Sequence, residues 1–184
     1  NGIMIETEIR AKVGDLRKIA DKIISLGGEF VSKEQQIDKV FGRPEDLDEN
    51  HQIIDGHFSS RIRQKSGKIS LDFKEIKRGQ SGIDISAPIN SIETGVKLLT
   101  ALGFEEAFSV SKARETYKLK DFEICLDDVE KLGSFIEIEW VGNGENYDSA
   151  LQECKSLLEE IDPSAVLENK KYGDLMQELI NSQK

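Results

Sequence analysis

Polar and apolar residues alternate along most of this chain, which predicts a protein built mainly from β-strands. Successive side chains of a strand point to opposite faces of a sheet, so a period of two indicates a half-buried strand. About eight segments show this period, and glycine-containing turns separate several of them. They cover residues 6–12, 29–41, 58–65, 69–76, 83–89, 109–118, 122–128 and 134–141, with a polar turn predicted at 77–82.

Four segments have the period of a helix instead. The first is predicted to begin at Asp15, as N-cap, and to end at the glycine pair 27–28. Asn90 and Glu93 are predicted to form a capping box before the second helix, which ends at Gly103. The third helix is predicted over 147–161, before a proline, and the last one is predicted to carry Leu175, Met176, Leu179 and Ile180.

The strands form hairpins and at least four carry charges on one face, so we expect an α+β protein with an antiparallel sheet. Closing the sheet into a barrel removes its exposed edges. The helices would then cover the apolar faces from outside, and the charged faces would converge inside. No segment has the composition of a linker, so residues 1–184 are expected to form a single domain.

The charged faces contain two sets of side chains. Taking so many ions out of water is costly unless they are paired, hydrated or bound to a ligand. A polyphosphate with Mg²⁺ or Mn²⁺ suits both sets, since Arg and Lys bind phosphate and carboxylates bind the metal. The basic set is Arg10, Lys12, Arg61, Arg63, Lys74, Lys112 and Arg114, and the acidic set is Glu6, Glu8, Glu137 and Glu139.

Two simpler interpretations remain open at this point. The alternating charges could be the solvated faces of an open sheet. The glutamates could also be salt-bridge partners of the basic residues, without any metal. Two Glu-x-Glu strands and three basic strands in one chain favour the metal and polyphosphate site over both.

Composition narrows the choice of partners. The chain has 184 residues and a formal charge of −10, which argues against a general affinity for nucleic acid or an anionic membrane. No apolar run approaches the roughly 18 residues of a membrane span, so we expect a cytoplasmic protein. His51 and His57 fit no standard metal-ligand spacing, and Cys125 and Cys154 are expected to be reduced and structural.

An ordered series of motifs resembles the CYTH domain family, also described as triphosphate tunnel metalloenzymes. The family signature is an N-terminal Glu-x-Glu-x-Lys strand, and residues 6–10 are similar to it, with Arg10 in the last position. The series continues with segments 36–38, 61–63, 112–114, 132–139 and 171–172, together with Lys74 and Asp127. Arg10 keeps the positive charge of the lysine, but it stays protonated and is unsuited to proton transfer.

The resemblance implies an eight-stranded antiparallel barrel that binds a triphosphate through basic side chains. It also implies one or two Mg²⁺ or Mn²⁺ ions, for which the predicted ligands are Glu6, Glu8, Asp127, Glu137 and Glu139. Among family members, the chain is most similar to the class IV adenylyl cyclases, called CyaB-like. The predicted catalytic residues are Glu6, Glu8, Glu137 and Glu139, and the seven basic residues are the predicted phosphate ligands.

Three activities remain open. In a cyclase, the 3′-hydroxyl of ATP attacks the α-phosphorus and releases pyrophosphate. In an inorganic or thiamine triphosphatase, water attacks the terminal phosphate, and a binding module would hold the triphosphate without turnover. The expected ligand is a nucleoside triphosphate or another triphosphate. Neither nucleic acid nor a membrane is expected to be a partner. A homodimer is compatible with the sequence.

Overall fold

The computed structural model describes residues 7–76, 84–141 and 147–183. Glu6 and the turn predicted at 77–82 lie outside these residues. The described strands are β1 (Thr7–Lys12), β2 (Glu29–Gly42), β3 (Phe58–Lys65), β4 (Lys68–Glu75), β5 (Asp84–Pro88), β6 (Glu105–Leu119), β7 (Phe122–Val129), β8 (Gly133–Trp140) and β9 (Val166–Leu167). The helices are α1 (Leu16–Ser25), α2 (Ile92–Ala101), α3 (Tyr147–Ile161) and α4 (Tyr172–Ser182), and a short 3-10 turn spans Pro44–Asp46.

The predicted α+β class with antiparallel strands is confirmed. Each of the eight predicted strands corresponds to one of β1 to β8, and the described pairs run antiparallel. β6 begins at Glu105, four residues earlier than predicted, and the two-residue β9 was not predicted. Within the described residues, no helix combines the length and the apolar character needed to cross a bilayer.

Side-chain caps explain where two helices begin. Oδ1 of Asp15 accepts hydrogen bonds from the backbone N–H groups of Arg17 and Lys18, as predicted for the N-cap of α1. The predicted capping box of α2 was wrong. Ser91 is the N-cap, because its hydroxyl accepts from the N–H of Thr94 at 3.1 Å and the helix begins one residue later than Asn90 requires.

The chain divides into two compact units, which are described separately. Unit 1 comprises Asn1–Glu34 and Lys112–Lys170, and unit 2 comprises Gln35–Ser111 and Lys171–Lys184. The long strands β2 and β6 each contribute one part to either unit. The strand order is β2-β6-β7-β8-β1-β9 in unit 1 and β5-β4-β3-β2-β6 in unit 2.

Unit 1 buries one face of its sheet under α1 and α3. Ile124 and Ile138 are fully buried at the centre of that face. They pack with Ile23 of α1 and Cys154 of α3 in one apolar cluster. Because side chains alternate along a strand, the residues between the apolar ones point to the other face, where the predicted charged residues lie.

Unit 2 has the same two-faced construction. Phe41 and Ile62 are 1% exposed and pack with Leu99 of α2. A two-residue turn at Ser66 and Gly67, both with positive φ, joins β3 to β4. Positive φ at both central residues is typical of the hairpin turn that matches the twist of the strands. This turn fixes the register that places each charged residue of β3 opposite its neighbour on β4.

Candidate functional site

Four strands assemble the charged face of unit 1. Arg114 of β6 lies opposite Asp127 of β7, and Arg10 of β1 lies opposite Glu137 of β8. The pairing of β7 with β8 places Glu137 opposite Cys125. Cys125 is two residues from Asp127, so Glu137 and Asp127 lie on the same face of the sheet. Residues that are up to 127 positions apart in the sequence therefore share one patch of sheet.

Arg114 is the centre of a buried ion-pair cluster. Its Nε donates to Oδ1 of Asp127 at 2.7 Å and its Nη2 donates to Oδ2 at 2.6 Å, which is the forked geometry of a strong Arg–carboxylate pair. Nη2 also donates to Oε2 of Glu137 at 2.7 Å. The side chain of Asp127 is 0% exposed and that of Arg114 is 15% exposed, so these contacts are shielded from water.

Two further cations complete the cluster. Nε and Nη2 of Arg10 both donate to Oε1 of Glu137, at 3.0 and 2.7 Å, and its Nη1 donates to the carbonyl oxygen of Lys170. Nζ of Lys112 donates to Oδ2 of Asp127 at 3.2 Å. These five ionised side chains comprise three cations and two carboxylates, so the cluster has one net positive charge and is suited to receive an anion.

Burial and pairing act against each other in setting the protonation states. Burial raises the pKa of Glu137, but Arg114 and Arg10 outweigh it, and the pKa lies below its usual value. Burial likewise opposes the charge of Arg114, yet its bonds to Asp127 and its attraction to Glu137 raise its pKa. Burial lowers the pKa of Lys112, and the attraction of Asp127 offsets this only in part.

One glutamate from each predicted Glu-x-Glu motif lies beside this cluster. Glu8 of β1 is exposed and stands directly opposite Glu139 of β8, which is half-buried. Like charges directly opposite each other in a sheet destabilise it unless a cation lies between them. Carboxylate oxygens are the ligands that Mg²⁺ and Mn²⁺ prefer, so this pair fits either metal in its chemistry.

The described residues contain no group of three or more His, Cys, Asp or Glu side chains arranged to hold a metal. Mg²⁺ is commonly bound by one or two carboxylates together with substrate phosphates, and a pair of glutamates satisfies that requirement. Glu6, the other predicted ligand of the first strand, lies outside the described residues. The metal roles of Asp127 and Glu137 stay predictions, and in the structure both carboxylates contact arginines.

In unit 2, Arg61 is held by a buried aspartate. Its Nε and Nη2 donate to Oδ2 of Asp72 at 2.9 and 2.6 Å. The other oxygen, Oδ1, accepts from the hydroxyls of Ser70 and Ser86 at 3.0 and 2.7 Å. Burial raises the pKa of Asp72, but the hydrogen bonds from Ser86, Arg61 and Ser70 outweigh it and lower the pKa.

Arg63 is oriented in the same way by β2. Its Nε and Nη2 donate to Oδ1 and Oδ2 of Asp38 at 2.7 and 2.6 Å. Lys74 lies two residues beyond Asp72 on β4 and therefore shares its face of the sheet. The side chain of Arg63 is 39% exposed and that of Asp38 is 26% exposed, so this fork is open to an incoming anion.

The structure therefore brings together the predicted residues Arg10, Lys112, Arg114, Asp127 and Glu137 in unit 1. Lys12 is exposed on the same face, opposite Phe135. Asp72 and the two serines that support it were missed by the sequence analysis. The hairpin turn at 66–67 was the available signal, since counting outward from it pairs Arg61 with Asp72.

Comparison with known proteins identifies the same family as the motifs. The family model for the CYTH domain matches residues 4–171. A Methanocaldococcus jannaschii protein named a putative adenylate cyclase is 31% identical over 166 residues, which are 88% of this chain and 91% of that protein.

Solved structures share the fold. A Pyrococcus horikoshii protein is 26% identical with a TM-score of 0.65, over 94% of this chain and 99% of the other. A Hippeastrum protein, described as a putative adenylyl cyclase with a dominant triphosphatase activity, is 14% identical with a TM-score of 0.61, over 95% and 96% of the two chains. At 14% identity the likeness shows the fold alone, and it agrees with the predicted class.

Proposed function

Because this chain belongs to the CYTH domain family, we propose that it is a metal-dependent enzyme that converts ATP to cyclic AMP and pyrophosphate. The observation that carries the proposal is the charged face of unit 1, where arginines in forked contact with carboxylates adjoin a pair of facing glutamates. The archaeal relative named a putative adenylate cyclase supports ATP as the substrate.

In this proposal, the basic residues bind the phosphates. A guanidinium fork that fits a carboxylate also fits two phosphate oxygens, so the contacts to Asp127 and Glu137 hold Arg114 and Arg10 ready in the required orientation. Pre-oriented side chains lose less conformational entropy when the ligand binds. The same role is proposed for Lys12, Lys112, Arg61, Arg63 and Lys74.

We propose that Glu8 and Glu139, with Glu6, bind Mg²⁺ or Mn²⁺. Held by these carboxylates, the ion would supply positive charge that offsets the charge of the phosphates and lowers the pKa of the attacking hydroxyl group. Arg114 and Arg10 would stabilise the negative charge that grows on the departing pyrophosphate. Since both arginines stay protonated, neither is proposed to act as the base.

Triphosphate hydrolysis is the second candidate. The ion-paired arginines recognise phosphate groups, a feature that a cyclase and a triphosphatase share. The Hippeastrum protein, described as a putative adenylyl cyclase with a dominant triphosphatase activity, makes hydrolysis an informative comparison.

Product identification separates the candidates. The protein is incubated with Mn²⁺ or Mg²⁺ and, separately, with ATP, inorganic triphosphate or thiamine triphosphate. Cyclic AMP with pyrophosphate supports the proposal, orthophosphate supports a triphosphatase, and binding without product supports a binding module. Glu139→Gln should abolish turnover, whereas the same change at the exposed Glu130 should not. Full activity of Glu139→Gln would contradict the metal assignment.

A further inference from the structure

Three residues of unit 2 form a row across neighbouring strands. Arg61 of β3 lies directly opposite Asp72 of β4, and Asp72 lies directly opposite Ser86 of β5. Ser70 is two residues before Asp72 in β4, so its side chain points to the same face of the sheet. Residues directly opposite each other have Cβ atoms about 5 Å apart, which lets their side chains contact. The row therefore links β5 to an arginine two strands away.

The two oxygens of Asp72 have different partners. Oδ1 accepts from the hydroxyls of Ser70 and Ser86 at 3.0 and 2.7 Å. Oδ2 accepts from Nε and Nη2 of Arg61 at 2.9 and 2.6 Å. The residue is 4% exposed, so bulk water has little access to these bonds. Because the carboxylate is held at both oxygens, it cannot rotate without breaking several hydrogen bonds, and the two serines fix its plane.

The neighbouring pair of Arg63 with Asp38 shows what the serines change. There, Nε and Nη2 of the arginine donate to different oxygens, Oδ1 and Oδ2. This is the usual two-oxygen fork between an arginine and a carboxylate. At Asp72 the serines occupy Oδ1, and both donors of Arg61 go to Oδ2. The serine hydroxyls therefore influence the direction in which the guanidinium of Arg61 points.

The far side of the Arg61 guanidinium can receive an anion. Its Nη1 carries two N–H groups, and no residue in the described part of the chain accepts from them. The side chain is 21% exposed, so the guanidinium is partly shielded and can still be reached from outside. Phosphate oxygens accept strongly from arginine N–H groups.

We propose that Asp72, Ser70 and Ser86 are positioning residues that hold Arg61 so that its Nη1 donates to a phosphate group of the triphosphate, an inference that rests on the proposed function. A side chain that is already oriented loses less conformational entropy when the ligand binds. The two hydroxyls therefore raise the affinity for the triphosphate without touching it. Ser86 is the more informative of the two, because it lies on a different strand from the aspartate that it supports.

Calorimetric binding of a non-hydrolysable ATP analogue in the presence of Mn²⁺ tests this assignment. Ser86→Ala removes the hydroxyl and keeps the Cβ. We expect the Kd to rise about 3- to 10-fold, as for the net loss of one hydrogen bond. Ser86→Thr keeps the hydroxyl and should leave the Kd within about 2-fold of the wild type. The control is Ser32→Ala, the same change at an exposed position of β2.

A double-variant cycle separates positioning from packing. Because Ser86 acts through Arg61, Ser86→Ala should have almost no further effect on the Kd when Arg61 is already alanine. An effect of equal size with and without Arg61 would overturn the assignment. So would an unchanged Kd in Ser86→Ala, whatever the Tm does, because the hydroxyl would then serve stability alone.

The same titrations separate this inference from the proposed function. Failure of the wild type to bind the analogue would refute both. An Arg61→Ala variant that binds as well as the wild type would refute the phosphate role of Arg61 and its positioning by Asp72. A raised Kd in Arg61→Ala with an unchanged Kd in Ser86→Ala would refute the positioning role alone. Binding that responds as expected, without formation of cyclic AMP from ATP, would refute only the cyclase activity.

Discussion

Replacing Asp127 by Asn removes the negative charge at the centre of the unit 1 cluster while keeping the size of the side chain. In the folded protein, Asp127 is 0% exposed and accepts from Arg114 at 2.7 and 2.6 Å and from Lys112 at 3.2 Å. The change leaves two cations, each with about one seventh of its side chain exposed, short of a counter-charge. Removing one partner of such a buried pair costs about 3–5 kcal/mol.

The asparagine oxygen can still accept one hydrogen bond, which recovers about 1 kcal/mol. We therefore expect the free energy of unfolding to fall by about 2–4 kcal/mol. For a chain of this length, that corresponds to a Tm lower by about 5–15 °C. Urea unfolding followed by circular dichroism measures the free energy, and a thermal scan measures the Tm.

Asp128→Asn is the matched control, since it makes the same chemical change at the next residue of β7, which is exposed. It should alter the unfolding free energy by no more than about 0.5 kcal/mol. The double variant of Asp127→Asn with Arg114→Met should lose clearly less than the sum of the two single losses, because the pair is removed as a unit. Equal losses at Asp127 and Asp128, or strict additivity in the double variant, would refute the reasoning.

Three further predictions concern pH, phosphate binding and the thiols. The pKa of Glu137 is lower in the folded protein than its ordinary value of 4.5. The ionised carboxylate therefore stabilises the fold fully above pH 4.5, and this stabilisation is lost as the pH falls through the pKa of the folded protein. Glu137→Gln should flatten the acid limb of the stability–pH curve, and an unchanged limb would contradict the pairing. Arg63→Ala should raise the KM for a triphosphate about 10-fold or more, and the exposed Arg17→Ala should not. A similar KM in both variants would place Arg63 outside the site. Burial raises the pKa of Cys125 and of Cys154 to about 11, so a thiol reagent at neutral pH should react with both only after denaturation; rapid reaction of the folded protein would contradict their burial.

The hairpins of the fold could be predicted from local patterns. Side-chain alternation located β3 and β4, and the Ser66–Gly67 turn fixed their register. The first helix cap was equally local, because the side chain of Asp15 reaches N–H groups two and three residues away. At the second helix, Asn90 and Ser91 are both good N-caps, and composition could not choose between neighbours. β9 has two residues, too few for a period to be visible.

The candidate site could be predicted only in part. Alternation identified the charged side chains of β1 and β8, but the pairing of Arg10 with Glu137 depends on two strands that meet across 127 residues. No local rule fixes that register.

Metal binding measured together with triphosphate binding tests the central claim most directly. Mn²⁺ is titrated into the protein with and without a non-hydrolysable ATP analogue, and free Mn²⁺ is followed by electron paramagnetic resonance. We predict saturable binding that the analogue tightens in the wild type and in Glu130→Gln, and loss of that binding in Glu139→Gln. A Glu139→Gln titration curve that overlays the wild-type curve would contradict the claim that the charged face of unit 1 holds a metal and a triphosphate together.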